Sequence, residues 1–202
     1  MLGTIQTGKI IDQNKDAYYV QIDGITYELK KQEITQEQVP EVGDKIRGFI
    51  YDNKNHDREM TQFLPFSQPD QYGWGKVTDV RFGLGVFIDI GLPDKDVVLS
   101  MDDLPLDKER WPRKDDRLLV RIETDEKDRI WTKLADENIF EQLAAHFPNN
   151  MNNKNVFGTV YSSRQIGAFV ITNDYYLAFV HSSQMARTLR LGEQFKGRVI
   201  GI

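Results

Sequence analysis

One order of short segments runs through the chain three times, and a repeated order of this kind confines the fold to a series of like units. The first copy contains GTIQTGKIID, AYYVQIDG, ITYELKKQEI, VGDKIRGFIYD and EMTQFLP. The second contains YGWGKVTDV, GVFIDIG, DVVLSMDDL, RKDDRLLVRIETD and DRIWTKLAD. The third contains NVFGTVYSS, GAFVITND, YYLAFVHSSQM and LGEQFKGRVIGI. Each copy opens on a G-x-V/I segment and follows it with an x-aromatic-apolar segment. A third segment runs into a turn closed by Ile34, Leu104 or Met185, and a Gly-Asp, Asp-Asp or Gly-Glu turn introduces the fourth.

The segments alternate apolar and polar residues, are rich in Val, Ile, Phe and Tyr, and are separated by Gly, Asp and Asn, which is the signature of β-strands. Five such strands in a unit of about 65 residues predict a small barrel, because closing the sheet hides edges that so small a core cannot cover otherwise. One segment departs from this pattern. Ile139, Phe140, Leu143, Ala144 and Phe147 form a stripe at helical spacing, predicting a helix over 136–147. An Asn-rich linker follows over 148–155, and a second boundary falls at Pro65–Pro69. The expected fold is all-β: barrels over 1–66 and 70–135, the helical spacer, and a third barrel over 156–202 lacking its last strand.

The copies GWGKVTDVRFGLGVFIDIG and VFGTVYSSRQIGAFVITND…FVHSSQM resemble the S1 RNA-binding domain, a five-stranded OB-fold barrel. The third copy matches best and the first only in outline. Three tandem copies with a divergent acidic first one resemble the conserved virulence factor B family, also called YitL-like proteins. That resemblance implies a bacterial, cytoplasmic post-transcriptional regulator of gene expression, including virulence genes in some species. It also implies a fragment, since members of the family complete the third S1 unit and add a winged helix.

Strand alternation separates core from surface without the family. Val86, Ile88 and Ile90 share a face, leaving Phe87 and Asp89 outward; Tyr18, Val20 and Ile22 leave Tyr19 and Gln21 outward; Ala168 and Val170 leave Phe169 and Ile171 outward. Tyr19, Phe87 and Phe169 therefore hold one outward aromatic position, either a platform for unpaired bases or a cover for apolar surface. On the next strand Phe179 and His181 are expected beside Phe169, with Ser100 and Lys30 equivalent to His181. His181 taken alone also fits a structural hydrogen-bonding role. Where S1 domains often carry a further aromatic, this chain has Ile166 and Leu84, with Phe82 as a substitute for Leu84.

The formal charge is −5 over 202 residues, but it is unevenly spread: −3 over 1–66, −6 over 67–147 and +4 over 148–202. Because phosphate neutralisation dominates nonspecific affinity, the third unit is the expected binder, through Lys154, Arg164, Arg187, Arg190, Lys196 and Arg198. A basic loop around Trp111 (Lys108, Arg110, Arg113, Lys114, Arg117) either meets a nucleic-acid backbone or pairs with Asp107, Asp115 and Asp116, pairing being favoured.

Other classes are argued against. There is no cysteine, so disulfides, thiolate metal sites and cysteine nucleophiles are excluded. His56, His146 and His181 lie in three separate segments, His56 in a hairpin turn. No G-x-S-x-G elbow accompanies Ser182 and Ser183, Gly83-Leu84-Gly85 is a hairpin and not a phosphate loop, and no EF-hand spacing occurs. The reading is a non-enzymatic, cytoplasmic monomer that binds single-stranded RNA without metal or cofactor and away from membranes. The alternatives are single-stranded DNA binding, or a scaffold whose two acidic barrels dock proteins.

Overall fold

The computed structural model describes residues 2–35, 37–145 and 150–201. β1 (Thr4–Gln13), β2 (Ala17–Ile22), β3 (Ile25–Lys30), β4 (Lys45–Asp52) and β5 (Arg58–Thr61) form a closed barrel in the order β1-β2-β3-β5-β4. β6 (Gly73–Arg81), β7 (Gly85–Asp89), β8 (Val97–Ser100), β9 (Arg117–Thr124) and β10 (Ile130–Leu134) repeat that order in a second closed barrel. The helix α1 (Glu137–Leu143) precedes β11 (Asn155–Arg164), β12 (Gly167–Thr172), β13 (Leu177–His181) and β14 (Gln194–Arg198), an open sheet in the order β13-β12-β11-β14.

The fifth strand decides between closed and open. β5 pairs parallel to β3 and antiparallel to β4, and β10 does the same with β8 and β9. The third unit has the same first four strands, and the space between β13 and β14 is an apolar opening of about 370 Å³ bordered by Val156, Ala178, Val180 and Phe195. Val160, Ala168 and Val170 are fully buried there, while Val180 and Phe195 stay half-exposed. In the closed barrels Ile10, Val20, Leu29, Ile46, Ile50 and Met60, and Val77, Val86, Ile88, Val97, Leu99 and Val120, are buried almost completely. Each such side chain contributes about 1.5–3 kcal/mol of burial.

The repeat extends to irregularities. The first strand of every unit carries a β-bulge at one position, after which Asp12, Asp79 and Ser162 face Tyr19, Phe87 and Phe169. The third strand of every unit ends in a short 3-10 turn, Lys31–Glu33, Met101–Asp103 and Ser182–Gln184, placing Lys30, Ser100 and His181 at one equivalent position. Opposite them stand Ala17, Gly85 and Gly167. A Cβ on Gly167 would press into the carbonyl of Val180, and one on Gly85 into that of Leu99. Gly167→Ala is therefore expected to lose about 1–3 kcal/mol by forcing β12 from β13, read as a fall in the urea midpoint.

Two expectations are corrected. α1 stops at Leu143, where Ala144 turns extended, and among the described residues of its stripe Phe140 alone is fully buried; His146, Phe147 and the start of the predicted linker lie outside the described residues. Ile171 points outward from its own sheet but is only 3% exposed, because Leu119, Ala135 and Phe140 cover it. The Pro65–Pro69 segment runs between β5 and β6 and rests on the second barrel, the Phe66 amide donating to the Ile90 carbonyl and the Ile122 amide to that of Gln68.

The units are joined by specific contacts. Between the first and second barrels, Asp94 accepts from the Tyr51 hydroxyl and from Lys30 Nζ (3.0 and 3.2 Å), and Lys95 Nζ donates to the Asp52 carbonyl. Between the second barrel and the third sheet, Asp116 takes Arg190 Nε and Nη2, each at 3.2 Å, and backbone amides of Arg117 and Leu191 cross to Gly192 and Arg110 carbonyls. No helix among the described residues is long and apolar enough to cross a membrane.

Candidate nucleic-acid interface

β12 and β13 pair so that Phe169 faces Phe179 across the ladder, with ring centroids 4.9 Å apart. The next outward residue on β13 is His181, its ring edge-on to Phe179 at 6.2 Å. Both Phe179 and His181 are exposed and Phe169 is half-exposed. His181 Nδ1 accepts the Ser183 amide at 3.2 Å, capping the 3-10 turn. Nδ1 also lies 2.9 Å from the Ser183 hydroxyl, so with Nδ1 as the acceptor Nε2 is the ring's donor, and it has no hydrogen-bond partner among the described residues. The structural hydrogen-bonding role expected of His181 is thus filled by Nδ1.

Arg164 ends β11 and lies 5.2 Å from the centre of the Phe169 ring, while pairing with Glu137 at the start of α1. The second barrel repeats this pair: Arg81, at the end of β6, lies 4.5 Å from the centre of Phe87. Each guanidinium sets a positive charge over an aromatic face, worth about 0.5–1 kcal/mol at an exposed site. Arg81 was not among the expected residues. Its signal was the register of the repeat, in which the position two beyond the bulge-facing residue is Arg81, Arg164 or, in the first barrel, Asn14. There Asn14 Nδ2 donates to the Tyr19 hydroxyl at 2.9 Å in place of a cation.

The remaining expected residues separate into groups. Lys30 is held by Glu59 and Asp94; partial burial disfavours its charge, but these two carboxylates outweigh that and raise its pKa above the ordinary value. Ser100 accepts the Asp102 amide and caps its turn. Phe82 stacks on Trp111 at 5.6 Å, with Lys108 5.2 Å from its ring centre, so its partners belong to the basic loop. Arg187 pairs with Glu193. Arg190 is mostly buried between Asp116 and Glu193 and is a bolt between units, not a free cation. Lys196 lies over Phe157 and Arg198 bonds Asn155, both on the β11–β14 side, with Lys154 just before β11. Of the six cations expected from the third unit, Arg164 alone stands on the Phe169 ring.

In the basic loop, Asp107 pairs with Arg110 as expected, whereas Asp115 pairs with Lys76 and Asp116 with Arg190. No group of three or more His, Asp or Glu side chains among the described residues is arranged to hold a metal ion.

Family models match in three blocks: "S1 domain" over residues 2–62, "CvfB first S1-like domain" over 72–133 and "Virulence regulatory factor CvfB, second domain" over 140–202. Fold and matches together define a tandem protein of S1-like domains. A crystal structure of a multidomain protein with nucleic acid binding domains from Streptococcus pneumoniae TIGR4 is 44% identical, with a TM-score of 0.92 over 99% of this chain and 69% of that one. Conserved virulence factor B of Staphylococcus epidermidis ATCC 12228 is 30% identical over 100% of this chain and 67% of its own length. YitL of Bacillus subtilis 168 is 34% identical over 95% of this chain and 64% of its own. The chain belongs to the conserved virulence factor B (YitL-like) family and spans about two thirds of the length of these relatives.

Proposed function

We propose that this chain binds single-stranded RNA, chiefly on the β12–β13 face, and performs no chemistry. The observation that carries the reading is the cross-strand Phe169–Phe179 pair with Arg164 over one ring and His181 beside the other. Two adjacent unpaired bases stack on the rings, Arg164 meets a phosphate, and His181 Nε2 donates to a base or sugar oxygen. Phe87 with Arg81 is a second, smaller platform, and linking the two raises affinity through effective concentration. Tyr19 and Lys30 leave the first barrel without a free cation at this position, so it serves as a support. In the cell the role is post-transcriptional regulation in a bacterium, a reading supported by the names of the virulence factor relatives.

Anisotropy titrations of a labelled oligouridylate of about 12 nucleotides and its DNA counterpart test this. Two neutralised phosphates give about a 7-fold loss of affinity between 50 and 200 mM salt. RNA binding with that dependence, and weaker DNA binding, is expected. Equal affinity for both would make the protein a general single-strand binder, and no binding to either at low salt would leave the protein-docking scaffold.

A further inference from the structure

Between the second barrel and the third sheet lies a polar cleft of about 270 Å³, away from the Phe169–Phe179 pair. Its lining includes Trp74 from β6, Arg117 from β9, Thr159 and Gln194, and Asn173 and Tyr175 from the β12–β13 turn. Trp74 is half-buried and presents an aromatic surface; Gln194 Nε2 donates to Thr159 Oγ1 at 3.0 Å. Arg117 is exposed, and its guanidinium has no hydrogen-bond or ion-pair partner among the described residues, although the surrounding barrel is net acidic.

Tyr175 supplies an independent observation. It sits at φ 63°, in the left-handed region, at a strand turn where the first barrel uses Gly24 at φ 78°. A bulky aromatic is an outlier there, and such strain gathers where a side chain is needed at a fixed place. An aromatic wall, an unpaired guanidinium and exposed amide groups are the chemistry that recognises a nucleotide.

We infer that this cleft is a second nucleotide subsite, taking one unpaired base against Trp74 and Tyr175 and its phosphate on Arg117. The inference rests on the RNA-binding reading above and extends it. The chain of rings Phe169, Tyr161, Phe140, Trp74, with successive centroids 6.2, 4.2 and 6.3 Å apart, joins the first site to the cleft. That span suits one strand engaging both, given OB-type sites of about 4–16 nucleotides.

Tyr175→Gly and Arg117→Gln separate the two sites. Glycine relieves the left-handed backbone, and Arg117 makes no side-chain bond among the described residues, so both variants are expected to keep the parent's melting temperature. Affinities are compared for oligouridylates of about 4 and about 12 nucleotides. The inference expects unchanged affinity for the short oligomer and about a 5-fold or greater loss for the long one, the loss of one base-stacking contact. Parental affinity of both variants for the long oligomer overturns the subsite while leaving the Phe169 site intact. Failure of the parent to bind either oligomer overturns both readings together.

Discussion

Phe169→Ala is expected to weaken binding of a single-stranded oligouridylate by about 1–3 kcal/mol, roughly 5- to 150-fold, through loss of one stacking platform. The ring is half-exposed, lying between Phe179 at 4.9 Å and Tyr161 at 6.2 Å with Arg164 over it. Its removal therefore also frees Arg164 from its aromatic rest and disperses the charge aimed at the phosphate. Tyr19→Ala, at the same place in the first barrel, is expected to leave affinity within 2-fold or so, because Asn14, and no cation among the described residues, accompanies that ring. The pair of variants is read by anisotropy, with circular dichroism confirming that both keep their strands. Equal losses from the two would show that position in the repeat, and not the arginine–aromatic pair, governs binding.

Asp116→Ala is expected to be the most damaging single change at the junction of the second barrel and third sheet. Asp116 is 6% exposed and accepts the Arg113 amide as well as two nitrogens of Arg190. Its loss leaves the mostly buried Arg190 with Glu193 alone, and breaking such a pair costs about 3–5 kcal/mol. The exposed Arg81–Asp79 pair is the control: Asp79→Ala is expected to change stability by less than about 1 kcal/mol. The same junction is acid-sensitive. Burial disfavours the Glu193 carboxylate, but Arg187, the Arg190 amide and the Arg190 guanidinium overcome it and hold its pKa below the ordinary 4.5. A depressed carboxylate contributes stability above the unfolded value and loses it as pH falls through the folded one. Urea midpoints are therefore expected to fall between about pH 5 and pH 3 in the parent, with a smaller fall in Glu193→Gln.

The three-unit architecture was legible because strand alternation is local. Val86, Ile88 and Ile90 on one face and Phe87 on the other follow from a period of two, and the turns that end β3, β8 and β13 align Lys30, Ser100 and His181 without reference to anything distant. The aromatic pair of β12 and β13 was legible for the same reason, once the two strands were taken as neighbours. What alternation cannot show is a partner from another unit. Ile171 looks outward from its strand and is covered by Leu119, Ala135 and Phe140. Arg190 counts as a cation in the composition of the third unit and is spent on Asp116. Summed charge located the basic unit but not the free charges, because Lys196 lies over Phe157 and Arg198 bonds Asn155, both partners on β11. Arg81 was hidden inside an acidic unit, and only the register set by the bulge brings it into line with Arg164.

Photo-cross-linking of a 4-thiouridine oligomer of about 12 nucleotides to the protein, with the modified peptides located by mass spectrometry, tests the central claim most directly. The account predicts adducts on the peptides carrying Phe169 and Phe179–His181, with a lesser set at Phe87. Adducts confined to the first barrel or to the β14 edge, from RNA that is demonstrably bound, would contradict it.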